Sequence, residues 1–268
     1  MGGGTMRYEL LIRFSLFLGI FALCAALESL VPKRDRVQPR KGRWFTNMAL
    51  SVLNALALRG LALALPLLAV GAAVDAWSRG WGLFNQVQWS LWQEVLLALL
   101  AMDFAIWLQH LITHKVPLFW RFHRVHHADR DIDVTTALRF HPAEILASMG
   151  LKIGLVYLLG PQAIAVLLFE VILNGTAVFN HANLALPRWL DALLRLVVVT
   201  PDMHRVHHSV IRSEHDSNFG FALSVWDRIF RTYRAQPESG HKHMMVGLEW
   251  QNEQPARLGW SLLLPFRR

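Results

Sequence analysis

The sequence predicts an all-α fold: an integral membrane helical bundle of about four to five membrane helices, with a cytoplasmic helical cap that carries its histidine motifs. Three observations carry this prediction. Hydrophobic residues make up 54% of the 268 residues, more than in an ordinary soluble domain, and they are gathered into runs long enough to cross hydrocarbon. No stretch of the chain is strand-rich. The pentapeptide His-Arg-Val-His-His occurs twice, at His123 to His127 and at His204 to His208. With 13 His in the chain, a set His-x-x-His-His pattern arises by composition in roughly 0.03 copies. Imidazole is the commonest protein ligand for transition metals, so the duplication points to bound metal.

The elements follow in order. The apolar run Leu10 to Val31 is about 33 Å long as a helix and predicts a first span. Pro32 to Arg43 holds six basic residues and one acidic one, a segment expected to stay cytoplasmic. A second span runs from about Phe45 to Ala73, with Pro66 tolerated as a kink. Asp75 to Ser90 is a short outer connection whose Trp77, Trp81 and Trp89 fit an interfacial belt or a tryptophan-bearing loop. The third span, about Leu91 to Leu111, delivers His110 and His114 to the cytoplasmic side. Two further apolar helices, Ala143 to Tyr157 and Gln162 to Phe179, are separated by the Gly160-Pro161 break. They read as a hairpin entering from the cytoplasmic side. Pro187 to Val199 alternates Trp189, Leu190, Leu193 and Leu194 with Arg188, Asp191 and Arg195, the pattern of an interfacial amphipathic helix or of a buried cap helix. The chain thus divides into a transmembrane region (1–102), a catalytic region (103–236) and a tail (237–268).

Charge and cysteine content narrow the chemistry. The formal charge of +8 lies beside apolar runs, which suits anionic headgroups and orientation signals, and no nucleic acid partner is expected. The single cysteine, Cys24, excludes an intramolecular disulfide, a Cys-ligated iron–sulfur cluster and a Cys-x-x-Cys pair. Any metal must therefore rely on His and carboxylate. The run from Leu10 is too long for a typical signal core, and Met6 stands where a myristoylation pattern needs Ser or Thr.

His110 and His114 are four apart and share one helix face. His123, His126 and His127 fall on one side of a helix started by Pro117, and His204, His207 and His208 repeat this behind Thr200-Pro201-Asp202, an N-cap, first-turn proline and first-turn acid. Eight imidazoles exceed one tetrahedral zinc and suit two metals. His141 and His181 are two more candidates, His181 at the cytoplasmic return of the hairpin and His141 as a ligand or as a group facing ligands or substrate. His215, His241 and His243 follow tail-like sequence and are expected to be exposed.

The order His110-x-x-x-His114, His123-x-x-His126-His127 and His204-x-x-His207-His208, ahead of Asn218-Phe219-Gly220 and Trp226-Asp227-Arg228, resembles the fatty acid hydroxylase superfamily, specifically its sterol desaturase branch. The resemblance spans about Asp103 to Tyr233. It implies a membrane enzyme with a non-haem dinuclear iron centre at the cytosolic face, two Fe ions that use dioxygen (O2) and two electrons to hydroxylate or desaturate a lipid. The boxed histidines and His181 carry over as ligands. Thr176 and Asn180 depart from relatives that hold additional histidines there, which leaves the ligand count and the assignment of each His to a metal open.

The residues add further expectations. One or two of Asp129, Asp131, Asp133, Glu144, Asp202 and Glu214 are expected to hold the outer nitrogens of ligating rings. Asp103 and Arg59, about 16 and 22 Å deep from the cytoplasmic ends of their spans, are expected to pair, unless Arg59 binds backbone carbonyls or water. No haem-attachment motif or dinucleotide fingerprint is present in the sequence, so electrons are expected from a separate ferredoxin- or cytochrome-type donor with its reductase. Arg121, Arg124 and Arg205 are expected to attract it, or to pack within the boxes. The substrate partner is a membrane lipid, and the location is a bacterial inner membrane or the endoplasmic reticulum. A zinc hydrolase or a metal-binding or transport membrane protein is the alternative. His at span ends disfavours a transport path, adjacent His disfavour bis-His haem, and the lack of His-Glu-x-x-His disfavours a zinc hydrolase.

Overall fold

A computed structural model describes residues 9–64, 68–250 and 253–267. Pro66, expected to kink the second span, and Met6 lie outside them. Among the described residues the regular structure is helical, with only isolated β-bridges. The chain runs through α1 (Glu9–Leu30), α2 (Arg40–Ala64), α3 (Ala69–Ser78), α4 (Leu91–Lys115), α5 (Pro117–His127), α6 (Pro142–Leu159) and α7 (Ala163–His181). The short helices α8 (Arg188–Leu194), α9 (Pro201–His207), α10 (Arg212–His215), α11 (Val225–Ile229), α12 (Gly240–His243) and α13 (Leu258–Leu263) complete it. Five helices, α1, α2, α4, α6 and α7, are long and apolar enough to cross a membrane. Their outward faces are apolar, as lipid contact requires: Phe14, Leu23, Val52, Leu56 and Leu158 are all exposed.

Local chemistry sets the joints. Gln93 Oε1 accepts from the Ser90 backbone N–H at 3.1 Å and starts α4. Val116 precedes a proline and is extended at φ −98°, ψ 115°, so α4 stops there and α5 starts at once with Pro117. That one-residue joint folds the second His motif back onto the first. Gly160 ends α6 in the left-handed region at φ 66°. A Cβ there would lie 2.3 Å from the Trp81 carbonyl oxygen, so only glycine lets the 81–82 loop close against the hairpin tip.

α7 is the central post. It packs against α1, α3, α4 and α9, and small residues on α3 allow close approach: Ala72 and Ala73 are fully buried with Met102, Met149, Val156, Val166 and Phe169. The N-terminal turns of α2 are not wholly a free basic flank. Arg43 enters the interior, donating to Asp129 at 2.6 and 2.9 Å and to Asp133 at 2.8 Å. Asn47 next to it accepts from Arg139 at 2.8 Å, and Arg139 also donates to Ser261 of α13 at 2.8 Å. The C-terminal segment is thereby stitched onto the floor of the cap.

One expected pairing and the extent of one helix are corrected. Asp103 does not meet Arg59. Its carboxylate accepts from Trp226 Nε1 at 2.8 Å and from the Leu223 backbone N–H at 3.3 Å, while Arg59 lies exposed on α2. The amphipathic segment at Pro187 is helical only over Arg188–Leu194, and it turns two of its three charges inward: Asp191 pairs with Arg195 and accepts from Thr200 at 2.6 Å, while Arg188 is exposed. Trp189 (69%), Leu193, Leu196 and Val197 face outward, which fits an interfacial helix and not a buried one.

Candidate metal centre

Nine of the ten candidate histidines converge where α4, α5, α7 and α9 meet. None is more than 6% exposed. They form two adjoining compartments, His110, His114, His123, His127 and His207 in the first, His126, His181, His204 and His208 in the second; within each, ring nitrogens lie within 4.8 Å of one another. His141, the tenth candidate, is not brought there. It caps α6, with Nδ1 accepting from the Ala143 N–H at 3.1 Å, because the residue before Pro142 takes the extended conformation that an N-cap needs.

The helical spacing explains the two compartments. His123 and His127 reach the first compartment while His126 reaches the second; in the repeat, His204 and His208 reach the second while His207 reaches the first. Each pentapeptide therefore serves both sites.

Outer contacts fix which nitrogen faces inward. A carbonyl oxygen only accepts, so the rings bonded to carbonyls must carry their proton on Nδ1. His110 Nδ1 donates to Phe219 O at 2.7 Å, His126 to Arg139 O at 3.2 Å, His181 to Ala177 O at 2.7 Å and His207 to Ser217 O at 2.7 Å. His123 Nδ1 donates to Glu144 Oε1 at 2.6 Å. Of the acids expected to hold a ring, Glu144 does so; Asp129 and Asp133 serve Arg43, Asp131 accepts from Val37 and Gln38, and Asp202 pairs with Lys33 and Arg205. Glu214 accepts from the Glu238 N–H.

With Nδ1 committed, the Nε2 lone pairs point at each other. His110 and His123 Nε2 are 3.1 Å apart, as are His126 and His181 Nε2. Two bare lone pairs at that distance repel, and a shared cation turns the contact favourable. Nitrogens held about 2.1 Å from one ion at right angles lie about 3.0 Å apart. Both ring nitrogens of His114, His127 and His208 and Nε2 of His207 are buried without a hydrogen-bond partner among the described residues; a metal would satisfy one nitrogen of each ring. Burial, and then the neighbouring imidazoles, hold His126, His127, His204, His207 and His208 well below the usual histidine value, so their rings are neutral and available as ligands at neutral pH. The donor set fits two metal ions.

Asp227 supplies a support that spacing alone does not reveal. Its carboxylate accepts from the backbone N–H groups of Phe219 and Gly220, each at 2.9 Å, and from Trp107 Nε1 at 3.0 Å. It thereby holds the loop whose Phe219 carbonyl orients His110. Gly220 sits so close to Leu223 O that a Cβ would lie 2.7 Å from it. The Asn218-Phe219-Gly220 and Trp226-Asp227 motifs are the sequence trace of this support.

Two exposure expectations fail. His215 stacks on Trp120 at 5.3 Å and joins His114 and Asp216 in a third cluster, because α10 folds back under α4. His241 is 8% exposed, with Nε2 3.7 Å from Asp202, while His243 is exposed as expected. Arg205 is fully buried against Asp202 and unavailable to a docking protein; Arg124 bonds the Leu264 and Arg267 carbonyls, and Arg121 is exposed. Asn180, at one of the departing positions, donates to Phe221 O at 2.8 Å, and Thr176 bonds back to its own helix.

Two cavities flank the cluster. One of about 360 Å³ opens beside His114 and is lined by Lys115, Trp120, Arg212 and His215. The other, about 150 Å³, lies between α4, α6 and α7 and reaches His110 and His123.

An all-helical bundle with membrane-length helices, closed at one end over two adjoining imidazole compartments, defines a membrane protein of the histidine-cluster class. The chain belongs to the fatty acid hydroxylase family, whose profile matches residues 95–232. It is 27% identical over 224 residues to the ornithine lipid hydroxylase OlsE of Rhizobium tropici, covering 82% of this chain and 66% of that protein. It is 32% identical to the Homo sapiens alkylglycerol monooxygenase over 53% of this chain and 31% of the relative. With the Homo sapiens cholesterol 25-hydroxylase it shares 32% identity over 54% of this chain and 52% of the relative. The chain thus spans just under two thirds, about a third and about half of these relatives' lengths. No solved structure matches the chain significantly.

Proposed function

We propose that this chain is an integral membrane oxidoreductase that hydroxylates or desaturates a lipid at a dinuclear iron centre, using O2 and electrons from a separate donor. The observation that carries the reading is the pair of compartments on which nine imidazoles converge, five of them with Nδ1 held from outside so that Nε2 turns inward. The ornithine lipid hydroxylase, alkylglycerol monooxygenase and cholesterol 25-hydroxylase relatives support hydroxylation as the reaction. Two irons held by these histidines would supply the activation of dioxygen; hydroxylation would place one oxygen atom in the lipid and one in water, desaturation would place both in water, and either would consume two electrons and two protons.

The chain's own residues set the conditions. The nine histidines hold the ions, and neutral ligands leave them strongly electrophilic. Glu144 and the carbonyls of Phe219, Arg139, Ala177 and Ser217 fix ring orientation. Ile106, Leu173 and Phe221 line the smaller cavity and keep water from the carbon presented beside His110 and His123. The site faces the cytoplasm of a bacterial inner membrane or the endoplasmic reticulum, and a ferredoxin- or cytochrome-type donor approaches the face where Lys115 and Arg212 line the larger cavity. The test is anaerobic purification with metal analysis, joined to comparison of lipids in cells with and without the protein under labelled dioxygen. About two irons per chain and a labelled or newly unsaturated lipid support the reading. One tightly held zinc with unchanged lipids overturns it in favour of a hydrolase.

A further inference from the structure

The smaller cavity is not uniformly apolar. Besides His110 and His123, its lining includes Gln109, Ser148, Lys152 and Asn174. Lys152 is ten residues into α6 and its partner Glu170 eleven residues before the end of α7, so both lie about 15 Å deep in the bundle. An ionisable pair at that depth is costly and calls for a role. Lys152 Nζ donates to Glu170 Oε1 at 3.1 Å, and Glu170 Oε2 also meets Arg13 at 2.7 Å. An ammonium carries three N–H donors, and Glu170 takes one. The others belong to the side chain that lines the cavity. Ser148, one turn earlier on α6, presents its hydroxyl to the same space and donates to Gln109 Oε1 at 3.3 Å.

We propose that Lys152, flanked by Ser148 and Asn174, docks an oxygen-bearing group of the lipid substrate, so that the carbon offered to the metals is chosen by its distance from that oxygen. This rests on the reading of the chain as a lipid-oxidising enzyme and names its substrate class: an amphiphile oxidised at a carbon remote from a hydroxyl, carbonyl or carboxylate. From Glu144, which holds His123, to Lys152 is eight residues of helix, about 12 Å. That spacing acts as the ruler. A purely apolar chain has nothing to satisfy the ammonium and slides without register, which lowers both affinity and positional selectivity.

The test needs no turnover. Binding of radiolabelled palmitic acid, hexadecanol and hexadecane to the detergent-purified full chain is measured by scintillation proximity for wild type, Lys152→Met, Lys152→Arg and Glu170→Gln. Wild type is expected to favour the acid and the alcohol over the alkane by about tenfold or more, the scale of a hydrogen bond to a charged group. Lys152→Met should erase the preference and Lys152→Arg retain it. Glu170→Gln, which keeps the ammonium, should retain it as well. Ratios taken on one preparation cancel any misfolded fraction. A preference for acid over alcohol assigns the recognition to charge; equal binding of both assigns it to hydrogen bonding, and either supports the docking role. An unchanged preference in Lys152→Met, or equal loss in Lys152→Met and Glu170→Gln, overturns it and leaves the pair a structural one. Binding that follows the expected pattern in a protein that oxidises no lipid overturns the proposed activity and leaves this inference standing.

Discussion

Glu144 offers the sharpest perturbation of the centre, because it touches one compartment only. Its carboxylate is 10% exposed and lies 2.6 Å from His123 Nδ1, while in the second compartment His126 and His181 donate to the Arg139 and Ala177 carbonyls instead. A charge-assisted bond of this kind contributes about 1.5–3 kcal/mol, and losing an orienting partner lowers metal affinity by roughly 10- to 100-fold. Glu144→Leu removes the acceptor and should reach the upper part of that range. Glu144→Gln keeps a neutral oxygen and should stay near its lower end. The assay is metal content after dialysis against graded chelator. Wild type should release its two ions at high chelator; Glu144→Leu should show a biphasic curve, one ion leaving at a chelator concentration one to two decades lower. A curve that shifts as one phase means that the ions are lost together, and an unshifted curve means that Glu144 does not support a metal ligand; either refutes the assignment of separate compartments with His123 in the first.

Three other outcomes follow from the same geometry. His141→Ala should leave metal stoichiometry unchanged and cost about 1 kcal/mol through the lost cap on α6, read as a lower Tm in detergent. Arg43→Met strands Asp129 and Asp133 in the interior and should cost about 3–5 kcal/mol, with loss of folded yield as the readout. Burial, against the pull of Asp202, holds His241 down to about 4 from the usual 6.5. A base whose folded value is depressed favours its neutral form in the fold, so its contribution is intact above pH 6.5 and declines as pH falls toward 4. His241→Gln should flatten that part of the Tm-against-pH profile, and a variant that follows wild type through this window shows that His241 does not titrate there.

Much of the architecture is legible in local sequence because its signals are local. Pro117 and Thr200-Pro201 start helices in any context that permits them, and Gly160 ends one because φ 66° suits glycine. Nine of ten histidines could be gathered from spacing and order, since helical periodicity says which rings share a face. Periodicity does not say what a face meets. Asp103 and Arg59 matched in depth but not in azimuth, and Trp226, over 120 positions along the chain, took the carboxylate. His141 sits before a proline like a ligand-bearing turn, yet its ring is turned to its own helix. His215 and His241 read as surface groups, and Arg205 as either a docking charge or a packed one, because their partners Trp120 and Asp202 are set by how α9, α10 and α12 fold under the bundle. The Arg43 network was hidden for the same reason: a basic flank looks alike whether it faces headgroups or two buried aspartates.

The duplicated pentapeptide shows how identical sequences give complementary parts. With 3.6 residues per turn, residues i and i+4 are about 40° apart around the axis and residue i+3 lies about 60° to the other side. The three rings fan over about 100°, wide enough to address two neighbouring ions, the close pair going to one and the lone ring to the other. Two such helices facing across a site as if related by a two-fold axis place the pair of one beside the lone ring of the other. That is the arrangement found: His123 and His127 with His207, and His204 and His208 with His126. The flanking spans then break the symmetry. α4 adds His110 and His114 to the first compartment, whereas α7 adds only His181 to the second, so the two ions would sit in unequal ligand sets although the motif that frames them is repeated. Because each pentapeptide contributes to both compartments, a shift of either helix would move ligands of both ions at once.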